Sequence, residues 1–134
     1  MISAAEIAEK FAQIGTQFAE YYYRCLDAGP RENIYTLYFP DALLTYEDKK
    51  VKGHEGIHLT FKSLGFNQIA HKTTTVDCHP LPDGILIVCN GQLQADAEHP
   101  MPFCQTFIIR QHPTANWLVA HDIFRLGVHN FAPS

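Results

Sequence analysis

The sequence predicts an α+β fold in which helices pack on one face of a largely antiparallel sheet. Two observations lead to this prediction. In the first half of the chain, apolar residues recur at helical spacing. From about residue 69 onward the period of the apolar residues changes from 3.6 to 2, and the remaining elements are predicted strands. The 134 residues fit one domain, spanning residues 1–134.

The first predicted element is a helix of about 24 residues. Ser3 and Glu6 have the S-x-x-E spacing of a capping box, which begins a helix. The apolar stripe of this helix comprises Ile7, Phe11, Ile14, Phe18, Tyr21 or Tyr22, and Cys25. Gly29 and Pro30 end it.

Two shorter helices and a hairpin are predicted next. Residues 33–39 are predicted to form a short helix that Pro40 ends. Residues 42–46 and 49–52 predict a hairpin around Glu47 and Asp48. Residues 53–64 carry apolar side chains at helical spacing, and Gly65 follows this helix.

The second half is predicted to form four strands. They cover residues 69–78, 85–96, 101–111 and 117–125. Pro80, Pro82, Asp83 and Gly84 predict the first turn, and residues 112–116 predict the last. Strands of this length leave one sheet face needing cover, and dimerisation through that face would supply it.

Composition excludes several classes of function. Hydrophobic residues make up 46% of the chain, which favours a packed core over disorder. The ten Lys and Arg against fourteen Asp and Glu give a net charge of −4, which argues against nucleic-acid binding. No run of 18 apolar residues occurs, so we expect no transmembrane helix and no membrane partner.

The cysteines indicate a reducing compartment. Cys25, Cys78, Cys89 and Cys104 form no C-x-x-C pair, so a zinc site is not expected. The N-terminus lacks the pattern of a secretory signal, and we therefore expect four buried, reduced thiols in a cytosolic or nuclear protein.

Five sequence blocks resemble the nuclear transport factor 2 family. They are IGTQFAEYYY, LTYEDKKVKGHEGI, GQLQAD, PFCQTF and FRLGVHNF, in matching order and spacing from about Phe11 to Phe131. The resemblance implies a cone-like α+β fold whose strongly bent, mostly antiparallel sheet encloses an apolar cavity. It also implies a homodimer, formed through sheet faces.

The resemblance further implies a carrier without catalysis, cofactor or metal. Such a carrier binds the small GTPase Ran in its GDP form and the Phe-x-Phe-Gly repeats of nucleoporins. It brings Ran into the nucleus, which places it in the cytoplasm, the nucleus and the nuclear pore or envelope.

The resemblance assigns a Ran-binding cavity and an acidic rim. An aromatic side chain of the switch II segment of Ran would enter the cavity, and the rim carboxylates would pair with its basic residues. The family has Trp where Tyr46 stands and usually Asp where Glu98 stands. The cavity residues are Tyr46, Leu64, Ile69, Leu93, Ala95, Met101, Ile123 and Phe124, and the rim residues are Glu47, Asp96 and Glu98.

Other assignments rest on single positions. Phe11 stands where the family has a Trp that helps to hold nucleoporin phenylalanines, although a core role on the first helix fits it equally well. Arg125 and the His129-Asn130-Phe131 tail are interpreted as structural or dimer-associated.

Two alternatives remain open at this point. Small dehydratases and isomerases share the superfamily, and Tyr46, His71 and Asp122 could supply their acid–base groups. An mRNA-export adaptor of the same fold, which pairs with a larger related subunit, is the second alternative.

Overall fold

A computed structural model describes residues 1–127 and shows two α-helices, one 3-10 helix and six strands in that range. The elements are α1 (Ala4–Ala28), the 3-10 helix (Arg31–Leu37), β1 (Tyr38–Tyr46), β2 (Lys49–Lys52), α2 (Gly53–Lys62), β3 (Ile69–Leu81), β4 (Gly84–Ala95), β5 (Met101–Gln111) and β6 (Trp117–Leu126). The predicted α+β class is therefore confirmed.

The six strands form one mixed sheet in the order β2-β1-β6-β5-β4-β3. All neighbours pair antiparallel except β1 and β6, which pair in parallel. The sheet is strongly curled but not closed, as in a cone. The helices of residues 1–127 lie on its concave inner face.

α1 begins as the sequence predicts. The Ser3 hydroxyl accepts the Glu6 N–H at 3.2 Å, and the Glu6 carboxylate accepts the Ser3 N–H at 3.4 Å. This capping box satisfies amide groups that the first helical turn leaves unpaired. Gly15 lets α1 approach the sheet closely, because a Cβ there would lie 2.5 Å from Sγ of Cys78.

An aromatic cluster joins α1 to the sheet. The ring of Phe107 on β5 lies 4.8 Å from that of Tyr22, 6.1 Å from that of Phe18 and 6.4 Å from that of Tyr23. Edge-to-face packing of this kind contributes beyond the burial of area alone. The face of β4 that carries every second residue from Ile85 to Ala95 is buried throughout.

Three local predictions are wrong. The short helix predicted at residues 33–39 exists as a 3-10 helix, but its bounds are wrong, because it spans Arg31–Leu37 and β1 already begins at Tyr38. Pro40 lies inside β1, where an irregular register against β6 removes the need for its missing N–H. Pro80 belongs to β3 rather than to the turn, and it is tolerated because β3 is an edge strand.

The thiols are free, but they are not all buried. Cys89 is buried, Cys25 and Cys78 are half-buried, and Cys104 is exposed on the outer sheet face. The expectation of four buried thiols is therefore wrong for three of them. Neither α-helix of residues 1–127 is long and apolar enough to cross a membrane.

Candidate functional site

A narrow, mainly apolar cavity lies between the helices and the inner face of the sheet. Its volume is about 10 Å³, measured as the space open to the centre of a water molecule. It therefore has room for about one water. The lining residues are Tyr22, Leu26, Tyr46, Phe61, Leu64, Phe66, Ile69, His71, Gln105 and Phe124.

Tyr46 forms an aromatic wall of this cavity. Its ring stacks on Phe124 at 4.6 Å with an interplanar angle of 14° and meets the edge of Phe61 at 5.8 Å. Burial raises the pKa of Tyr46 to about 12, with the charge of Glu47 as a smaller cause. Its hydroxyl makes no hydrogen bond to another residue in the described range 1–127, which leaves it free to meet an incoming group.

Glu47 is fixed in place beside Tyr46. It adopts a left-handed backbone conformation with φ of 56° at the end of β1. Its N–H donates to the carbonyl of Phe124 at 2.9 Å, and its Oε1 accepts the N–H of Leu126 at 2.5 Å. One carboxylate oxygen thus anchors the residue to β6, and the other remains for a partner.

Asp96 is held in a closely similar way at the end of β4. It also adopts a left-handed conformation, with φ of 52°, and its N–H donates to the carbonyl of Gln68 at 2.9 Å. Its Oδ1 accepts the N–H groups of Asn67 at 3.0 Å and Gln68 at 2.9 Å. Asp96 therefore fixes the two residues that precede Ile69 in the cavity wall.

Glu98 lies in the exposed loop after β4. Its N–H donates to the carbonyl of Ala95 at 3.1 Å, and its own carbonyl accepts the side chain of Gln94 at 2.8 Å. Its carboxylate forms neither an ion pair nor a hydrogen bond with residues 1–127. Glu98 is thus the rim carboxylate with full freedom to turn toward a partner.

His71, which the sequence offered only as an acid–base group of the enzyme alternative, forms part of the cavity wall. Its side chain is 2% exposed, and its Nδ1 lies 2.6 Å from Oδ1 of Asp27 at the end of α1. The carboxylate also accepts the backbone N–H of His71 at 2.9 Å. The imidazole stacks on Tyr23 at 4.9 Å and meets the edge of Phe103. The pair therefore fixes the start of β3 against α1.

A buried polar network lies beneath the cavity. Tyr38 donates to Oδ2 of Asp122, Gln105 donates to Oδ1 of the same carboxyl at 2.9 Å, and the hydroxyls of Tyr22 and Tyr38 lie 2.7 Å apart. Tyr23 donates to the amide oxygen of Gln105 at 2.7 Å. Burial raises the pKa of Asp122 to about 7, although the hydrogen bonds from Tyr38 and Gln105 act in the opposite direction.

Four of the eight predicted cavity residues line the cavity. These are Tyr46, Leu64, Ile69 and Phe124. Leu93 and Ala95 are buried and Met101 is half-buried on the same side of the sheet, but none of the three lines this cavity. The assignment of Ile123 to the cavity is wrong, because its side chain lies on the outer face and the residue is 50% exposed.

The remaining predicted residues occupy other places. Phe11 is half-buried on α1 and packs against the core. Arg125 is exposed on β6. The predicted tail of His129, Asn130 and Phe131 lies outside the described residues.

Comparison with known proteins gives concordant results. A family model described as the nuclear transport factor 2 (NTF2) domain matches residues 14–126. The chain is 33% identical over 126 residues to a probable nuclear transport factor 2 of Caenorhabditis elegans, covering 90% of this chain and 95% of that protein.

Two solved structures extend the comparison. Nuclear transport factor 2 from Cryptosporidium parvum is similar with a TM-score of 0.84 and 33% identity, covering 88% of this chain and 95% of that one. A ketosteroid isomerase-like protein from Erwinia carotovora atroseptica is similar with a TM-score of 0.69 and 17% identity, covering 90% and 98% of the two chains. The second likeness concerns the fold alone.

Proposed function

Because the chain belongs to the nuclear transport factor 2 family, we propose that it is a nucleocytoplasmic carrier for the GDP form of Ran. The observation that carries the proposal is the pairing of an aromatic-walled cavity with two anchored carboxylates, Glu47 and Asp96. Glu47 directly follows the wall residue Tyr46 in sequence, and Asp96 accepts the N–H of Gln68, which directly precedes the wall residue Ile69.

The cavity suits an inserted aromatic side chain. Its walls offer stacking surfaces at Tyr46, Phe61 and Phe124. Burial of one Phe side chain there would contribute about 1.5–3 kcal/mol. Because the open volume admits about one water, residues at the mouth must move outward when the side chain enters.

The rim suits a basic partner segment. Carboxylates that are already anchored by backbone N–H groups lose little side-chain entropy when they pair with Lys or Arg. Glu47 and Asp96 meet this description, and the unanchored Glu98 adds a third negative charge. Cationic residues of switch II would thus bind around the mouth while the aromatic residue enters.

The outer sheet face suits a second copy of this chain. Pairing between strands places Thr45, Ile123, Thr106 and Val88 in one row across four strands. A parallel row carries Leu43, His121, Ile108 and Leu86. Leu43 and Ile123 are 47% and 50% exposed, so burying them against a partner would stabilise a homodimer.

Nucleoporin binding is proposed at Phe11. Its ring is half-buried on α1, so part of it remains open to a Phe-x-Phe-Gly repeat. Repeats of this kind would hold the carrier at the nuclear pore and let it pass between cytoplasm and nucleus.

An enzymatic role has less support. Asp122, the strongest candidate for an acid or base, does not line the cavity, because Tyr38 and Gln105 enclose its carboxyl. A general base must reach the proton that it removes. The relatives with a third of their residues in common are nuclear transport factors.

The test is a calorimetric titration with Ran loaded with GDP and, separately, with a GTP analogue. We expect binding to the GDP form only, because the switch II segment differs between the two forms. Binding to neither form would refute the proposal. Turnover of small enones or hydroxy ketones above the buffer rate would instead favour the enzyme.

A further inference from the structure

Arg31 concentrates its hydrogen-bond donors on one short stretch of backbone. Its Nε donates to the carbonyl of Phe61 at 3.3 Å, its Nη2 to those of Leu64 at 2.9 Å and Phe66, and its Nη1 to that of Asn67 at 3.4 Å. The guanidinium also lies 4.3 Å from the centre of the Phe66 ring. It forms no ion pair with an acidic residue in the described range.

These carbonyls belong to the end of α2 and to residues 64–68, which we call the mouth segment. Leu64 and Phe66 of this segment line the cavity. The carbonyl end of a helix attracts a cation, and the planar guanidinium satisfies several carbonyls at once. A lysine in this place would lack the forked set of N–H donors and the planar face of the guanidinium.

Asp96 holds the same segment by its N–H donors rather than by its carbonyl acceptors. It accepts the N–H groups of Asn67 and Gln68, whereas Arg31 donates to carbonyls of the segment. Asn67 therefore takes part in both sets of contacts. The mouth segment has no regular secondary structure, so these charged contacts replace the hydrogen bonds that a helix or strand would supply.

We propose that Arg31 is a positioning residue that sets the width of the cavity mouth by holding Leu64 and Phe66. This inference rests on the proposed function, because it concerns the aromatic side chain that would enter. The cavity is too narrow for such a side chain as it stands, so small displacements of these two walls decide whether it fits. Arg31 holds the backbone of this segment in one arrangement while side chains at the mouth turn aside, and thereby lowers the ordering cost of insertion.

The main test is a double-mutant cycle between this chain and Ran. Arg31→Gln and Arg31→Lys should each weaken GDP-Ran binding by about tenfold or more, since both variants lose the forked set of guanidinium N–H donors. Against Ran whose switch II aromatic residue is replaced by alanine, the same changes should cost about twofold or less. Arg24→Gln, at an exposed position of α1, is the matched control and should change neither value.

A general loss of structure would produce a different result. It would weaken binding to wild-type Ran and to the alanine variant of Ran by the same factor, and that outcome would overturn the proposal. Arg31→Lys keeps the charge and serves as the milder variant if Arg31→Gln folds poorly. Circular dichroism must show native content for each variant that is titrated.

Hydrogen exchange of the free protein supplies a readout that needs no Ran. The amides of Asn67 and Gln68 should exchange about tenfold faster in Arg31→Gln, while core amides of β5 keep their rates. Unchanged exchange at these two amides would overturn the positioning role. If the wild-type chain binds no Ran, the proposed function fails, and exchange alone then decides whether Arg31 holds the mouth segment.

Discussion

The hydroxyl of Tyr38 donates a hydrogen bond of 2.5 Å to Oδ2 of Asp122, in a part of the core where both side chains are fully buried. Gln105 donates to the same carboxyl. Burial still dominates and raises the pKa of Asp122 to about 7. A carboxyl group in the core of the sheet therefore titrates close to neutral pH.

Stability should fall as the pH rises from about 4 to about 7, since the folded state keeps the Asp122 proton that the unfolded state releases. Above that range the contribution is constant. The effect is on the order of a few kcal/mol. Urea unfolding at pH 5 and pH 8 measures it, and Asp122→Asn should lack this component. Equal pH dependence in the two proteins would contradict the assignment.

Glu47→Gln should weaken GDP-Ran binding by about tenfold while leaving the melting temperature close to that of the wild type. The amide oxygen can still accept the N–H of Leu126, so this change isolates the charge. Glu47→Lys should abolish binding and also lose that hydrogen bond. Calorimetry measures both variants. Glu20→Gln, on the exposed side of α1, is the control, and an unchanged affinity for Glu47→Gln would remove Glu47 from the site.

Asp96→Ala should destabilise the fold by about 0.5–1.5 kcal/mol, because it removes the carboxylate that accepts from the exposed amides of Asn67 and Gln68. Glu98→Ala should leave stability unchanged, since the Glu98 carboxylate has no such contact within residues 1–127. Both variants should bind Ran more weakly. Urea unfolding separates the two, and equal stability for them would show that the Asp96 contacts contribute little.

Ile123→Glu should convert a dimer into monomers, since it places a charge in the middle of the apolar outer face. Sedimentation velocity at micromolar concentration gives the mass. Leu59→Glu is the matched control, because Leu59 is similarly exposed but lies on α2 rather than on the outer sheet face. A wild-type chain that sediments as a monomer would refute the interface directly.

Phe11→Ala should reduce capture of Phe-x-Phe-Gly repeats on beads. Because Phe11 also packs against the core, the variant will lose some stability. Ile14→Ala, at a half-buried position of the same helix, controls for that loss. If both variants capture repeats equally well, Phe11 has no binding role of its own.

Local signals predicted the helices and most strands correctly. The capping box fixed the start of α1, and the turn residues Glu47 and Asp48 fixed the β1–β2 hairpin. Signals of this kind depend on neighbours in sequence, and a single sequence shows them directly. The resemblance to the family, rather than a local signal, assigned Tyr46 and Phe124 to the cavity, where they stack on each other.

Ile123 shows why one site residue was misplaced. The resemblance assigned both Ile123 and Phe124 to the cavity, but neighbouring residues of a strand point to opposite faces, so only one of the two can point inward. The fold turns Phe124 and Asp122 inward, and Tyr38 and Gln105, distant in sequence, satisfy the Asp122 carboxyl. The role of Arg31 could not be predicted either, because its partners are also distant in sequence. They are backbone carbonyl groups, which every residue has, so the sequence does not indicate which of them Arg31 contacts.

The position of β1 within the sheet bears on how the chain acquires its structure. β1 lies between β2 and β6, and its partner β6 is the last strand of the described chain. During synthesis the first half of the protein therefore waits for residues 117–126 before one edge of β1 can be paired. Non-local pairing of this kind slows folding and leaves an open strand edge for that interval. Truncation before β6 should consequently yield an aggregating chain rather than a smaller stable domain.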